Sequence, residues 1–157
     1  MLELCFGDIQ IAKFCRKKNI QWTGFDRNES FVRHAKENGF DARRADLNAM
    51  KEFPAADLCI MSASLYHFID DLENMLTKML KSSGKILISE PIINVSNSRG
   101  IIGFLARKCT YCGETRKGFR FDKNSFPETL NYYSKKLNFR LQVIGRFSRD
   151  LTVIIER

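Results

Sequence analysis

An acidic residue stands at each end of the first strand–helix–strand unit of this chain. Met1-Leu2-Glu3-Leu4-Cys5-Phe6-Gly7-Asp8 opens the sequence, and Trp22-Thr23-Gly24-Phe25-Asp26 follows one short helix later. A hydrophobic strand that turns through a glycine into a helix, with a second strand ending in a carboxylate about 20 residues on, is how doubly wound sheets hold an adenosine ribose. The chemistry is therefore expected at the carboxyl ends of strands. Taken as residues alone, Asp26 and Asp46 also read as ordinary polar residues closing strands, and Glu3 as a strand-edge charge.

The elements that must position these groups follow from hydrophobic periodicity. Strands are predicted at Met1–Cys5, Gln21–Phe25 and Phe40–Arg44. A helix over Ile9–Lys18 turns Ile9, Ala12 and Phe14–Cys15 to the sheet and Lys13, Arg16 and Lys17 outward. Asn28 caps a second helix, Glu29–Asn38, which stops at Gly39. Ala56–Ser62 and Gly84–Ser89 are apolar runs suited to buried parallel strands, and Asp71–Leu80 is a helix with Leu72, Met75 and Met79 on one face. Ser125 caps a helix near Pro127–Leu137, and Arg140–Gly145 and Leu151–Glu156 close the chain as a hairpin across Arg146–Asp150. Pro91–Asp122, rich in Gly, Ser and basic residues, is too long for an ordinary connection and reads as a functional cover.

A length of 157 residues with 44% hydrophobic content fits one core. No apolar run approaches the ~20 residues that cross a bilayer, and the first residues lack a basic n-region, so a cytoplasmic protein without membrane contact is expected. Five cysteines, an odd number, argue against a disulfide framework. Cys109-Thr110-Tyr111-Cys112-Gly113 has the spacing of half a zinc knuckle, but the other half is missing, so no metal is expected. Charge is unevenly spread. Residues 1–95 carry 13 basic and 13 acidic side chains and residues 96–157 carry 13 and 5, so the net +8 comes from the C-terminal part. An anionic partner should meet that half.

Five segments in order carry a family resemblance: Leu2-Glu3-Leu4-Cys5-Phe6-Gly7, Gly24-Phe25-Asp26, Ala45-Asp46-Leu47, Asp57-Leu58-Cys59-Ile60-Met61-Ser62 and Gly84-Lys85-Ile86-Leu87-Ile88-Ser89-Glu90-Pro91. Together they resemble the Rossmann-like (class I) S-adenosylmethionine-dependent methyltransferases over nearly the whole chain. The resemblance implies an α/β fold: a doubly wound, mostly parallel seven-stranded sheet with an antiparallel terminal hairpin, whose last strand inserts beside the fifth. It implies one domain over residues 1–157, with 91–122 as a cover insertion and the family's usual N-terminal helix absent.

The resemblance also implies roles. Gly7 would let the backbone approach the methionine end of S-adenosylmethionine, Asp26 would accept from both ribose hydroxyls, and Asp46 with Leu47 would face the adenine amino group. Glu3, Ser62 and Ala63 would border the methionine part. His67 lies just past the fourth strand, where the family places residues near the acceptor, and is the first candidate base; it is equally readable as a structural histidine. Tyr66 and Glu90 are further candidates. Methyl transfer needs little covalent help, because positioning the acceptor and removing its proton supply most of the effect.

Two departures bear on activity. Cys5 and Ile9 stand where the family has the first and third glycines of its turn. Either the chain is truncated at its N-terminus, or the missing cover comes from Pro91–Asp122, from a second copy in a homo-oligomer or from another partner chain. The function expected is transfer of a methyl group to a small-molecule or glycoconjugate acceptor, an anionic one, with Arg116 and Lys117 on its binding side. A non-catalytic cofactor-binding or interaction subunit would explain the eroded turn. An RNA methyltransferase would explain the basic C-terminal half with its interspersed aromatics, which make RNA the alternative partner.

Overall fold

Short strands, most of the parallel ones joined by amphipathic helices, build the sheet. In chain order the elements are β1 (Leu2–Leu4), α1 (Gln10–Lys17), β2 (Thr23–Asp26), α2 (Glu29–Glu37), β3 (Asp41–Arg44) and β4 (Cys59–Ser62). A 3-10 segment over Leu65–Asp71 leads into α3 (Leu72–Ser82), then come β5 (Lys85–Pro91), α4 (Ser125–Leu137), β6 (Arg140–Phe147) and β7 (Asp150–Glu156). The computed structural model describes residues 1–93 and 119–157. Most of the segment expected to be a cover, with Arg116, Lys117, Cys109 and Cys112, lies outside the described residues.

Seven strands form one sheet in the order β3-β2-β1-β4-β5-β7-β6. The first five pair in parallel, and β7 enters antiparallel beside β5, Ile88 opposite Val153, with β6 antiparallel on the outside. The expected topology is the one found, with the order reversing between β1 and β4, where open α/β sheets bind ligands.

The core divides into two clusters. One joins Leu2 and Leu4 of β1, Met61, Ile86, Ile88 and Val153 to Leu72, Met75, Leu76 and Met79 of α3 and to Phe126 and Leu130 of α4. The other joins Phe6, Ile9, Ala12, Cys15 and Trp22 to Val32 and Ala35 of α2. Among the described residues no helix is long and apolar enough to cross a membrane.

Several boundaries differ from the sequence expectation for physical reasons. Cys5 leaves β1 in a left-handed conformation at φ 56°, so the strand ends one residue early. Phe14 is 54% exposed, because the buried stripe of α1 runs through Ile9, Ala12 and Cys15 and position 14 falls off it. The 3-10 segment was not signalled, since its apolar residues lack a sustained period. Asn28 does cap α2, its Oδ1 accepting from the Ser30 N–H at 2.9 Å. Asp122 rather than Ser125 shields the start of α4, its Oδ1 accepting from the N–H groups of Asn124 and Ser125 at 2.9 and 2.8 Å. The terminal hairpin is longer than expected, and its turn shrinks to Ser148-Arg149, with Ser148 left-handed.

Candidate functional site

Four strand ends converge on a cleft of about 410 Å³. Cys5 and Gly7 line it after β1; Asp26, Arg27, Asn28 and Phe31 after β2; Ala45, Asp46, Leu47 and Asn48 after β3; Ser64, His67 and Phe68 after β4. A parallel sheet aims every one of these turns to the same side, so residues scattered over sixty positions of sequence meet in one place.

Asp26 ties the first two turns together. Its side chain is buried, and one oxygen accepts from the Gly7 N–H at 3.2 Å while the other accepts from the Asn28 N–H at 2.7 Å. A carboxylate offers about four lone-pair sites, so about two remain for donors arriving in the cleft. Gly7 sits at φ 58°, and a Cβ added there would meet no atom within 4 Å. That empty volume borders the cleft and would be filled by any other residue.

The third turn is held through Asp46. Its Oδ1 accepts from the Asn48 N–H at 2.9 Å, and its carbonyl accepts from the N–H groups of Ala49 and Met50. The Leu47 side chain is buried below, while Asp46 and Asn48 stay exposed.

The fourth turn carries the titratable groups. His67 is half-buried, and burial, followed by the charges of Arg120 and Arg27, holds its imidazole down at about 4. At neutral pH it is uncharged and can accept a proton. Tyr66 lies 4.0 Å from it, ring centroid to ring centroid, and the Arg120 guanidinium sits 3.7 Å above the Tyr66 ring. Behind this turn Glu90 is wholly buried, its Oε1 accepting from the Ser64 N–H at 2.7 Å and also from the Leu65 N–H. Burial pushes the Glu90 carboxyl up to about 8, against the pull of those two amides. Oε2 of Glu90 has no hydrogen-bond partner among the described residues, as suits a carboxyl that burial keeps largely protonated at neutral pH.

Five of the residues singled out from sequence, Gly7, Asp26, Asp46, Leu47 and His67, are brought together here. Among the described residues, Glu3, Ser62, Ala63, Tyr66 and Glu90 are not in the lining. Glu3 lies mid-strand, opposite Gly24 and Ile60. Strand alternation turns it away from Leu2 and Leu4, so its Oε2 accepts from the Trp22 indole N–H at 2.7 Å within the second core cluster. Burial raises that carboxyl to about 8, with Asp8 and Asp26 adding to the rise and the Trp22 bond opposing it. Ser62 closes β4 and offers its carbonyl to the Ser64 hydroxyl at 2.9 Å. Tyr66 backs His67 from outside the lining.

The residues that sequence reasoning missed are Cys5, Arg27, Asn28, Phe31, Ala45, Asn48, Ser64 and Phe68. Asn28 and Asn48 had a local signal, each following by two residues a carboxylate that its N–H can reach. Cys5 is not a nucleophile in this setting, because burial and the nearby Asp26 charge push its thiol up to about 12.

No family model matches the chain, and no curated protein does. Solved structures do resemble it. A SAM-dependent methyltransferase from Archaeoglobus fulgidus superposes with a TM-score of 0.66 at 16% identity, covering 99% of this chain and 85% of its own. The plantazolicin methyltransferase BpumL, in complex with a pentazolic desmethylPZN analog and SAH, gives 0.72 at 14% identity over 99% and 75%. The DhpI-SAM-HEP complex gives 0.66 at 16% identity over 99% and 77%. These likenesses establish the fold they share.

Proposed function

We propose that this chain, which carries the Rossmann-like fold of the S-adenosylmethionine-dependent methyltransferases, is an enzyme that moves a methyl group from S-adenosylmethionine to a small anionic acceptor. One observation carries the reading: the Asp26 carboxylate closes β2, next to the β1 turn that borders the strand-order reversal, and is bound to the Gly7 amide of that turn while still able to accept from a vicinal diol. The residues fit the cofactor. Asp26 would hold the ribose hydroxyls, the open space at Gly7 would admit the methionine end, and Asp46 with Asn48 would meet the adenine edge. When bound, the sulfonium supplies a methyl group already activated for transfer.

The protein's own part is to orient the acceptor and take its proton. His67 is the group for the second task, uncharged at neutral pH and lining the same cleft. Arg120 and Arg27 both act on its charge, so an anionic acceptor bound near His67 would offset them and make the imidazole a stronger base. Anion binding and proton removal are thereby coupled. The excess of positive charge in residues 96–157, which include Arg116 and Lys117, supports the same class of acceptor, a carboxylated or phosphorylated small molecule or glycoconjugate.

The test is transfer of labelled methyl from S-adenosylmethionine to matched pairs of neutral and anionic acceptors at low and high salt. Label should pass to carboxylated or phosphorylated members and fall off with salt. Equal labelling of neutral and anionic members would remove the anionic acceptor from the account. A non-catalytic reading rests on Cys5, which puts a side chain where the resemblance implies a glycine; it predicts cofactor binding with no labelled product.

A further inference from the structure

Lys78 is a charged side chain sealed into the core, 4% exposed on α3, and the site as described above does not use it. Its ammonium donates to the Leu47 carbonyl at 2.7 Å and to the Met50 carbonyl at 3.2 Å, and lies 5.2 Å from the centre of the Phe53 ring. Burying an ammonium is costly unless its donors are satisfied, and here the two carbonyls and the aromatic face supply that compensation.

A role can be read from the peptide that Lys78 grips. The carbonyl of Leu47 and the N–H of Asn48 belong to one planar peptide group and point in opposite directions. The carbonyl end meets the Lys78 ammonium, and the N–H end meets the Asp46 carboxylate at 2.9 Å. A cation, a peptide dipole and an anion thus stand in series, each polarising the next. The peptide cannot rotate without breaking a bond at both ends, and while it is held Asp46 is held with it.

We propose that Lys78 is a positioning residue for adenine recognition, fixing through the 47–48 peptide the carboxylate that reads the exocyclic amino group. Lys78 does not reach the cleft itself. The inference rests on the cofactor reading given above, and its test separates the two.

The probes are S-adenosylhomocysteine and S-inosylhomocysteine, which replaces the amino group with a carbonyl and leaves ribose and amino acid unchanged. Calorimetric titration of the full chain should show clear preference for the adenosyl compound. Lys78→Met keeps the stem but removes the charge and donors. It should cut that preference by about tenfold, equivalent to about 1.4 kcal/mol, with binding through the ribose retained. Lys78→Arg should restore most of the preference. An unchanged ratio of the two affinities in a folded Lys78→Met protein overturns the inference, because a purely structural lysine would weaken both ligands alike. Should that variant not fold, Lys78→Gln keeps a donor without the charge; a reduced ratio supports the proposal and a wild-type ratio overturns it. Failure of the wild-type chain to bind either compound removes the cofactor reading, and this inference falls with it.

Discussion

The Asp26 carboxylate accepts from the backbone N–H of Gly7 at 3.2 Å, joining residues nineteen apart in sequence across the ends of two neighbouring strands. The bond fixes the first turn relative to the second before any ligand arrives. It also makes the carboxylate a structural member of the turn whose open volume it borders. A cleft built this way is preorganised, since the acceptor and the empty space are set by the same contact.

Gly7→Ala tests the empty space separately from the carboxylate. A left-handed alanine costs roughly 1–2 kcal/mol, and no neighbouring atom would clash with the new methyl group. The expected protein is folded, modestly less stable in urea, and weaker for S-adenosylhomocysteine by at least about tenfold. Unaltered affinity would mean that ligand does not pass Gly7.

Stability should fall as pH rises from about 6.5 to about 8. Glu90 and Glu3 both have folded values raised to about 8 by burial, above their ordinary 4.5. Their contribution is present in full below the unfolded value and is lost as pH climbs through the folded one. His67 has the opposite sign: held down at about 4, it contributes above its ordinary 6.5 and loses that contribution in acid. Below pH 6.5 it therefore opposes the two carboxyls, and above it they act alone. Glu90→Gln keeps an oxygen for the Ser64 and Leu65 amides and should flatten the decline by up to about 1.4 kcal/mol per pH unit. Urea midpoints at pH 6.5 and 8 check this. An equal decline in both proteins would mean that Glu90 does not titrate there.

His67→Ala should separate chemistry from binding. Loss of a general base lowers turnover by roughly a hundredfold or more, while S-adenosylhomocysteine affinity should change little. Equal losses in the two quantities would make His67 a wall of the cleft and nothing more.

The central strands were legible in the sequence because β1, β4 and β5 are short runs with apolar centres set off by turn residues, and Asp26 closes β2, whereas β3, Asp41-Ala42-Arg43-Arg44, buries only Ala42. What was hidden depends on the side to which a residue turns. Glu3 reads as a cleft carboxylate until strand alternation and the Trp22 indole are seen to take it into the core. Lys78 falls three residues after Met75 on the buried stripe of α3, where its partner is a carbonyl about thirty residues upstream that no local pattern points to. No periodicity signals a backbone angle either, so the left-handed turn at Cys5, a non-glycine lining the cleft, could not be foreseen.

The most direct measurement is calorimetric titration of the full chain with S-adenosylhomocysteine, beside Asp26→Ala. The account predicts saturable one-site binding to the wild-type protein. In the variant the affinity should be lower by roughly 1–3 kcal/mol, because ribose hydroxyls would lose a charged acceptor. The absence of binding at millimolar ligand, or equal affinity in the two proteins, would contradict it.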